Sequence, residues 1–570
     1  MLYLSGHKKI NTVLIVLLIG CILITGCGKK KSANMNSGAG KGPSQSGVLN
    51  LASYRPDTLN PLASKYSCVR DFLYLAYEGL FVVNEDLTVR NVLASDYKIS
   101  EDNTVFRIEL KKGVKFHDGS AFSSADVIET FEYIRSYDNY YSGILSNVQS
   151  YGADGDYAVQ VNLKSPQANF LCNLDFPILP SGLGESAFKS PNGSFSINGT
   201  GRYKYRETKP NVSIILEKNP SWHGTSKVYI PEVCIRFVKD NDGILYAFDS
   251  GETDLITTDR ARWGEFSYSN DFDTYEVTST RYVFIGMNTT DSVFSDPEFR
   301  KQFAALIDKA FITETTLFSH AETAENPITS KAYFYRNTDE VKFEPDKDYF
   351  SPHDNKAELY LLYNEESMHK EEIAQYIKET AESAGLEIIM SKVDYKTYCK
   401  KVASGDYHIY IGEVDLKRDC DLGFMFKPAP VLDAQQYDGD DMVVKVDEGD
   451  AVVAPDSPDN KENPDGNEEA NKGKDNEQKN GRAAPSSMNI CDFTNANLDD
   501  IINNINSAKD PEALMVAYNN LCVFYDENVP QLPICHLNEA MFVNKRIKGK
   551  INPNLTNFYA DLGEIYIDVK

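Results

Sequence analysis

The chain has two tryptophans in 570 residues, ten cysteines, and no apolar run long enough to cross a bilayer as a helix. The eight cysteines beyond Cys27 stand singly, at 68, 172, 234, 399, 420, 491, 522 and 535. No CxxC pair and no zinc-ligand spacing occurs, which excludes the common structural zinc sites and a thioredoxin-like redox motif. Scattered cysteines of this kind read mostly as free, buried thiols. No GxxxxGK[ST] loop, GxSxG elbow or HExxH helix is present. The nearest glycine-rich stretch, Gly38-Ala39-Gly40-Lys41-Gly42, lacks the Ser or Thr that would hold a metal. His117, His320 and His536 are isolated and read as structural. An enzyme therefore has no positive support, and no cofactor or metal is implied. Basic residues are also scarce, with 58 Lys and Arg against 84 Asp and Glu, a net charge of −26. Such a chain repels phosphate backbones, so nucleic acid is excluded as a partner.

The 42% apolar and 25% charged composition is that of a soluble globular protein. The length calls for two to four domain-sized units. The 34 tyrosines and 29 phenylalanines suit recognition surfaces as well as cores.

Lys8 and Lys9 precede a 13-residue apolar run, Val13–Thr25. A basic start followed by a short apolar stretch reads as a secretory signal, since a spanning helix needs about 20 residues. The run ends Ile24-Thr25-Gly26-Cys27, which looks like a lipobox, with Cys27 acylated and residues 1–26 removed. Cys21 is the weaker candidate, because cleavage there leaves Ile22-Leu23-Ile24 on the mature chain. Residues 27–47 are Gly, Ser, Lys, Asn and Pro with almost nothing apolar. They read as a flexible tether with a span of roughly 25 Å. The expected location is the outer face of a bacterial cell membrane, held by lipid.

Folded sequence begins near Val48. Residues 437–487 carry 14 acids and 6 bases, net −8, with no aromatic after Tyr437. That composition cannot offset the entropy of ordering and reads as a disordered acidic insertion. It lacks the ligand spacing of a calcium loop. Residues 357–414 give the clearest pattern. Strand-like Leu359–Tyr363, Leu386–Met390 and Tyr407–Gly412 alternate with helical Lys370–Ala384 and Tyr395–Ala403. Gly385 ends the first helix. A βαβαβ order implies a parallel sheet with ligands at the strand carboxyl ends, here Gly412-Glu413-Val414-Asp415. Val105–Val114 and Tyr157–Leu163 instead read as short alternating strands, so the whole is mixed α/β. Asp118-Gly119 suits a tight turn, Ser123 or Ser124 a cap for helix Ala125–Arg135, and Gly199 and Gly201 positive φ at a junction.

Several blocks together resemble family 5 solute-binding proteins of ABC importers, the oligopeptide- and dipeptide-binding lipoproteins. They are Asp57-Thr58-Leu59-Asn60-Pro61, Tyr77-Glu78-Gly79-Leu80, Leu93-Ala94 with Tyr97, and Phe106–Leu110 leading into Gly113-Val114-Lys115-Phe116-His117-Asp118-Gly119 and Ala125-Asp126-Val127. Further blocks are Asn198-Gly199-Thr200-Gly201, Ser250–Leu255, Asn288–Ala310 and Pro530–Ile534. The resemblance covers Val48 to the end, apart from the insertion. It implies an α/β fold, a two-lobed periplasmic-binding-protein clamshell of class II with an extra mixed α/β subdomain. Lobe I is expected at 48–79, 200–281 and 537–570, the subdomain at 80–199, and lobe II at 282–536.

The resemblance also implies function and site. Expected is a monomeric, non-enzymatic substrate-binding subunit that captures a peptide between the lobes and delivers it to membrane permease subunits. A non-peptide solute (a sugar or a metal chelate) is the alternative, as is a ligand-sensing surface receptor or adhesin. Ligand contacts are expected at Lys65, Tyr66, Ser67, Tyr141, Tyr282 and His536. The strand that carries the family's amine-binding aspartate falls on residues 412–415. Here Glu413 replaces the usual tryptophan, Asp415 lies one position early, and Leu416 takes the aspartate's place. Glu413 and Asp415, two apart on a strand, share one face and are the expected counter-charges for a ligand ammonium.

Overall fold

The computed structural model describes residues 47–137, 139–189, 195–258, 272–290, 292–335, 346, 349–350, 358–416, 418–426, 493–553, 558–559 and 562–568. The expected signal sequence and lipobox, all of the expected tether but Gly47, and the expected acidic insertion lie outside these residues. Among the described residues no helix is long and apolar enough to cross a membrane.

Three larger sheets organise residues 47–568. In the first, Val48–Tyr54 runs parallel to Glu232–Val238, which continues antiparallel into Ser213–Lys218 and Tyr203–Lys209. The second is an antiparallel sheet in the order Ala94–Ile99, Val105–Leu110, Ala158–Leu163, Val148–Ala153. Its strand Val105–Leu110 buries Phe106, Ile108 and Leu110 and leaves the alternate side chains half-exposed, the period of two expected of a sheet with one covered face. Helix Ser124–Ser136 packs on this sheet. Ser123 caps it, accepting from the Ala125 amide, while Asp126 Oδ2 accepts from the Ser123 amide at 2.7 Å. Gly119 adopts φ +92° and its amide donates to Phe116 O, the turn that Asp118-Gly119 predicts.

The third sheet has seven strands. Its spine is a pair of long antiparallel strands, Phe272–Met287 and Leu532–Asn544. Leu255–Thr258 lies on one side of the pair, and Ile409–Asp415, Glu358–Asn364 and Glu387–Val393 follow on the other. The last three are mutually parallel and joined by helices Met368–Ser383 and Tyr395–Ser404. The βαβαβ unit read from periodicity is therefore present, with the third strand reaching Asp415 instead of ending at Gly412. It extends because Arg281–Met287 pair with residues 409–415 along their whole length.

Side chains alternate across the spine. Tyr282 and Phe284 enter one core with Tyr410, Tyr518 and Phe524. Val283, Ile285 and Met287 enter another with Ile409, Ile411, Ile373 and Ile377. The ladder between the long strands is interrupted between Thr278 and Tyr282, where Ser279 Oγ instead donates to Leu537 O at 2.7 Å. Val83, Leu87 and Cys172, from the region of the antiparallel sheet, pack into the first of these cores.

Gly199 and Gly201 differ from expectation. Neither has positive φ. A Cβ at Gly199 would lie 2.0 Å from Ala76 O, and one at Gly201 2.6 Å from Ala76 C. Glycine is required for close backbone approach at this junction, not for a left-handed turn.

Candidate ligand-binding site

The strand Ile409–Asp415 carries Ile409, Ile411, Glu413 and Asp415 on one face, alternating with Tyr410, Gly412 and Val414. The two acids therefore share a face as expected, but their surroundings differ. Glu413 is 1% exposed at its side chain, and Arg281 is 6% exposed. Arg281 lies opposite Asp415 in the register and donates diagonally to Glu413 Oε1 through both Nε, at 3.0 Å, and Nη2. His369 Nε2 sits 2.8 Å from Glu413 Oε2, and Lys370 Nζ lies 3.8 Å from it. Burial opposes the charge on Glu413. Arg281, then His369 and Lys370, outweigh that cost and hold the carboxyl well below the usual range. Glu413 is an ionised carboxylate already matched by the Arg281 guanidinium of its own chain.

Asp415 is exposed and has one recorded hydrogen bond, from Thr280 Oγ1 at 3.3 Å. It is the last residue of its strand. Burial pushes its pKa up and Glu413 adds to the rise, against the pull of Arg281 and Arg418.

The strand then turns, and Arg418 and Asp419 reach the antiparallel-sheet region. Arg418 Nη1 contacts Asp175 Oδ2, with Asp175 2% exposed and Arg418 26% exposed at their side chains. Asp419 Oδ2 accepts from Asn173 Nδ2 at 2.6 Å and from Gln167 Nε2. Phe176, next to Asp175, packs on Tyr141 with ring centroids 5.8 Å apart. The Tyr141 hydroxyl pairs with that of Tyr74 at 2.7 Å. Tyr140, 56% exposed, lies edge-on to Tyr141, and the Arg70 guanidinium stacks 3.6 Å over its ring.

Arg70 connects this aromatic group to the opening segment, since its Nη1 donates to Ser64 O at 2.9 Å. Lys65 is exposed with its amide on Asp57 Oδ2 at 2.8 Å. Tyr66 immediately precedes helix Ser67–Leu73 and meets Tyr54 edge-on at 5.4 Å. Contacts thus run from Ser64, next to Lys65, through Arg70 and Tyr140 to Tyr141, and Phe176, which packs on Tyr141, adjoins Asp175, the partner of Arg418.

Tyr282 and His536 are not part of that series. Tyr282 is fully buried, stacked on Phe284, and its hydroxyl accepts from Gln531 Nε2 at 3.1 Å. His536, its neighbour across the ladder, is 2% exposed, and burial pushes its imidazole down to about 4, so it is neutral at neutral pH. Both form the interior of the crossing between the long strands. Among the described residues no cluster of His, Cys, Asp and Glu could hold a metal.

The family model for bacterial extracellular solute-binding proteins, family 5 (middle region), matches residues 88–416. The chain belongs to this family. The oligopeptide-binding protein AppA of Bacillus subtilis is 28% identical over 362 residues, 60% of this chain and 65% of AppA. The glutathione-binding protein GsiB of Pectobacterium atrosepticum is 26% identical over 306 residues, 50% of this chain and 56% of GsiB. The chain thus matches less than two thirds of the length of either relative. The structure of Bacillus subtilis AppA in complex with a nonapeptide superposes with a TM-score of 0.62 and 19% identity, covering 93% of this chain and all of that one. The family 5 fold accounts for the three sheets, including the antiparallel one.

Sequence reasoning did not single out Arg418, Asp175, Tyr74 or Tyr140, whose contacts with one another and with Tyr141 the structure shows. The one available signal was Arg418-Asp419-Cys420-Asp421, a charged run directly after a strand whose carboxyl end was already the expected site.

Proposed function

We propose that this protein is the extracytoplasmic substrate-binding subunit of an ABC importer and that it captures peptides. In this reading the molecule is a monomer anchored by acylated Cys27, and it passes its ligand to permease subunits without chemical change. Two lobes meet at the break in the long-strand ladder between Thr278 and Tyr282, opposite His536. The peptide lies between Lys65–Ser67, the Tyr74–Tyr140–Tyr141 group and the strand end at Asp415. An extended peptide suits this position, because its backbone pairs like an added strand while side chains occupy pockets. A closed state favoured by ligand contacts to both lobes would report loading to the transporter.

The observation that carries the reading is the reach of Arg418 and Asp419 from the end of the lobe II sheet to Asp175, Asn173 and Gln167. These polar contacts bring two chain regions together three residues beyond the exposed Asp415. Membership of a family that includes an oligopeptide binder and a glutathione binder supports the same reading. The test is native mass spectrometry of the purified full chain, followed by calorimetry with whatever co-purifies. A bound peptide that dissociates on unfolding and rebinds with measurable heat is the expected result. A co-purifying sugar or metal chelate, or no heat from any peptide mixture, would defeat it.

A further inference from the structure

Helix Met368–Ser383 has a second working face, opposite its buried stripe. Ile373, Ala374, Ile377 and Ala381 turn into the core beneath the seven-stranded sheet. Glu372, Tyr376, Glu379 and Ser383 lie on the other side, and Phe311 and Phe318 complete with them a groove of about 520 Å³. The groove shares no residue with the candidate ligand site. It follows the helix away from the strand carboxyl ends, since a crossover helix runs antiparallel to the strands it joins.

Three aromatic side chains give the groove its walls. Phe311 stacks on Tyr376 with ring centroids 4.9 Å apart, and the Tyr376 hydroxyl accepts from the Asp308 amide at 3.0 Å, which fixes the ring. Phe311 is nevertheless 44% exposed and Phe318 51%. The backbone presents Phe318 at a cost. Ile312–Thr316 form a single π-helical turn, closed by the Leu317 amide donating to Ile312 O at 2.9 Å. Phe318 and Ser319 follow with φ +54° and +62°. Glycine or asparagine ends a turn in this left-handed conformation with little strain, whereas a bulky side chain does not. A phenylalanine held there with half its surface in solvent gains little burial in return. Strain kept without a packing gain points to a functional surface.

The charge of the groove has one sign. Glu372 and Glu379 line it, and no lysine or arginine does. The neighbouring lysines point elsewhere, Lys378 to Glu382 and Ile388 O, Lys392 to Glu371. Aromatic faces attract cations through their quadrupole, and the carboxylates attract them by charge. The same acids repel phosphates and anionic lipid heads. From Glu372 to Ser383 the helix rises about 16 Å, the length of about five residues of extended chain.

We propose that this groove docks an extended segment of a partner protein, about five residues long, which lays a lysine or arginine against Phe311, Phe318 and Tyr376 with its charge toward Glu372 and Glu379. The surface is separate from peptide capture in the cleft and does not depend on it.

The probe is the capped peptide Ac-Gly-Leu-Arg-Leu-Gly-amide with one leucine replaced by its photoreactive diazirine analogue. It is irradiated with the full-length protein, and the labelled residues are mapped by mass spectrometry, which separates groove from cleft. Labelling is expected within residues 311–319 and 372–383. Half-saturation should come at about a two- to fivefold lower concentration than for the same probe with Gln in place of Arg, the size of one ring–cation contact at an exposed site. The difference should shrink in high salt. Glu372→Gln combined with Glu379→Gln should reduce it further. Phe318→Gly should remove the groove labelling while leaving the melting temperature unchanged or raised, because glycine relieves the left-handed strain. Labelling of the cleft alone overturns the proposal and leaves peptide capture intact. Equal labelling by the Arg and Gln probes, or full groove labelling of Phe318→Gly, also overturns it. A lowered melting temperature in Phe318→Gly does so too, because the ring is then part of the fold. Competition by N-acetylarginine amide as strong as by the unlabelled pentapeptide would make this a small-cation pocket and overturn the docking assignment.

Discussion

Replacing Glu413 by Gln tests whether the buried acid is a structural counter-ion. The variant keeps the side chain's shape and one acceptor, so the hydrogen bonds from Arg281 to Oε1 can persist. The charge is lost. Arg281 at 6% exposure and Lys370 at 3% then face a neutral amide, out of reach of water. Removing one partner of a buried ion pair costs about 3–5 kcal/mol, because the other is left uncompensated. The retained hydrogen bonds place the expectation near the lower end, about 3 kcal/mol. At about 2–4 °C per kcal/mol for a unit of 150–250 residues, the transition should fall by roughly 6–12 °C. Calorimetric melting of the full chain at pH 7 measures this. The pH dependence supplies a second reading with a definite sign. The folded pKa of Glu413 is lowered from the ordinary 4.5. Its stabilisation is therefore complete above about 4.5 and fades as the pH falls through the folded value. The gap between wild type and Glu413→Gln should be constant from pH 5 to 7 and narrow steadily below that. Lys370→Met should cost less, about 1 kcal/mol. Its ammonium is 3.8 Å from Glu413, and burial already lowers its pKa, while Arg281 and His369 remain on the carboxylate. A Glu413→Gln loss below 1 kcal/mol, or a gap that persists unchanged to pH 3, would refute the counter-ion argument.

Cys27→Ser should release the protein from membranes or leave it as uncleaved precursor, read by fractionation and intact mass; Cys21→Ser should not. Gly199→Ala forces a Cβ against backbone Ala76 O and should cost about 1–3 kcal/mol in equilibrium unfolding, since a backbone atom cannot swing aside. Deleting residues 439–485 should shift stability by no more than about 1 kcal/mol on the loop-closure estimate, and loss of the cooperative transition would show that the segment packs. Burial pushes the thiols of Cys172, Cys420 and Cys535 up. Alkylation of the native protein at pH 8 should leave these three unmodified until denaturant is added, as mapped by peptide mass spectrometry.

The βαβαβ unit was legible because two periods differ so plainly in it. Leu359, Leu361, Leu362 and Tyr363 fill a continuous apolar strand, while Ile373, Ala374, Ile377 and Ala381 repeat at helical spacing and are buried as a stripe. The Ser123 cap and the Asp118-Gly119 turn are local devices, complete within four residues. Gly199 and Gly201 show where local reasoning stops. Their backbone is ordinary, and the constraint comes from Ala76, more than 120 residues away. The same limit applies to Tyr282 and His536. Their neighbours in register are visible only once residues 272–287 and 532–544 are paired, and that pairing turns both rings inward.

The site turned on charge pairing, which strand alternation cannot report. Glu413 and Asp415 do share a face, but the groups that meet the Glu413 carboxylate come from Arg281 on another strand and from His369 and Lys370 on a helix. An acid at a strand end can serve as a ligand counter-charge only if its own chain leaves it unpaired, and the Glu413 carboxylate is already paired with the Arg281 guanidinium, which comes from a strand more than 120 residues earlier in the chain.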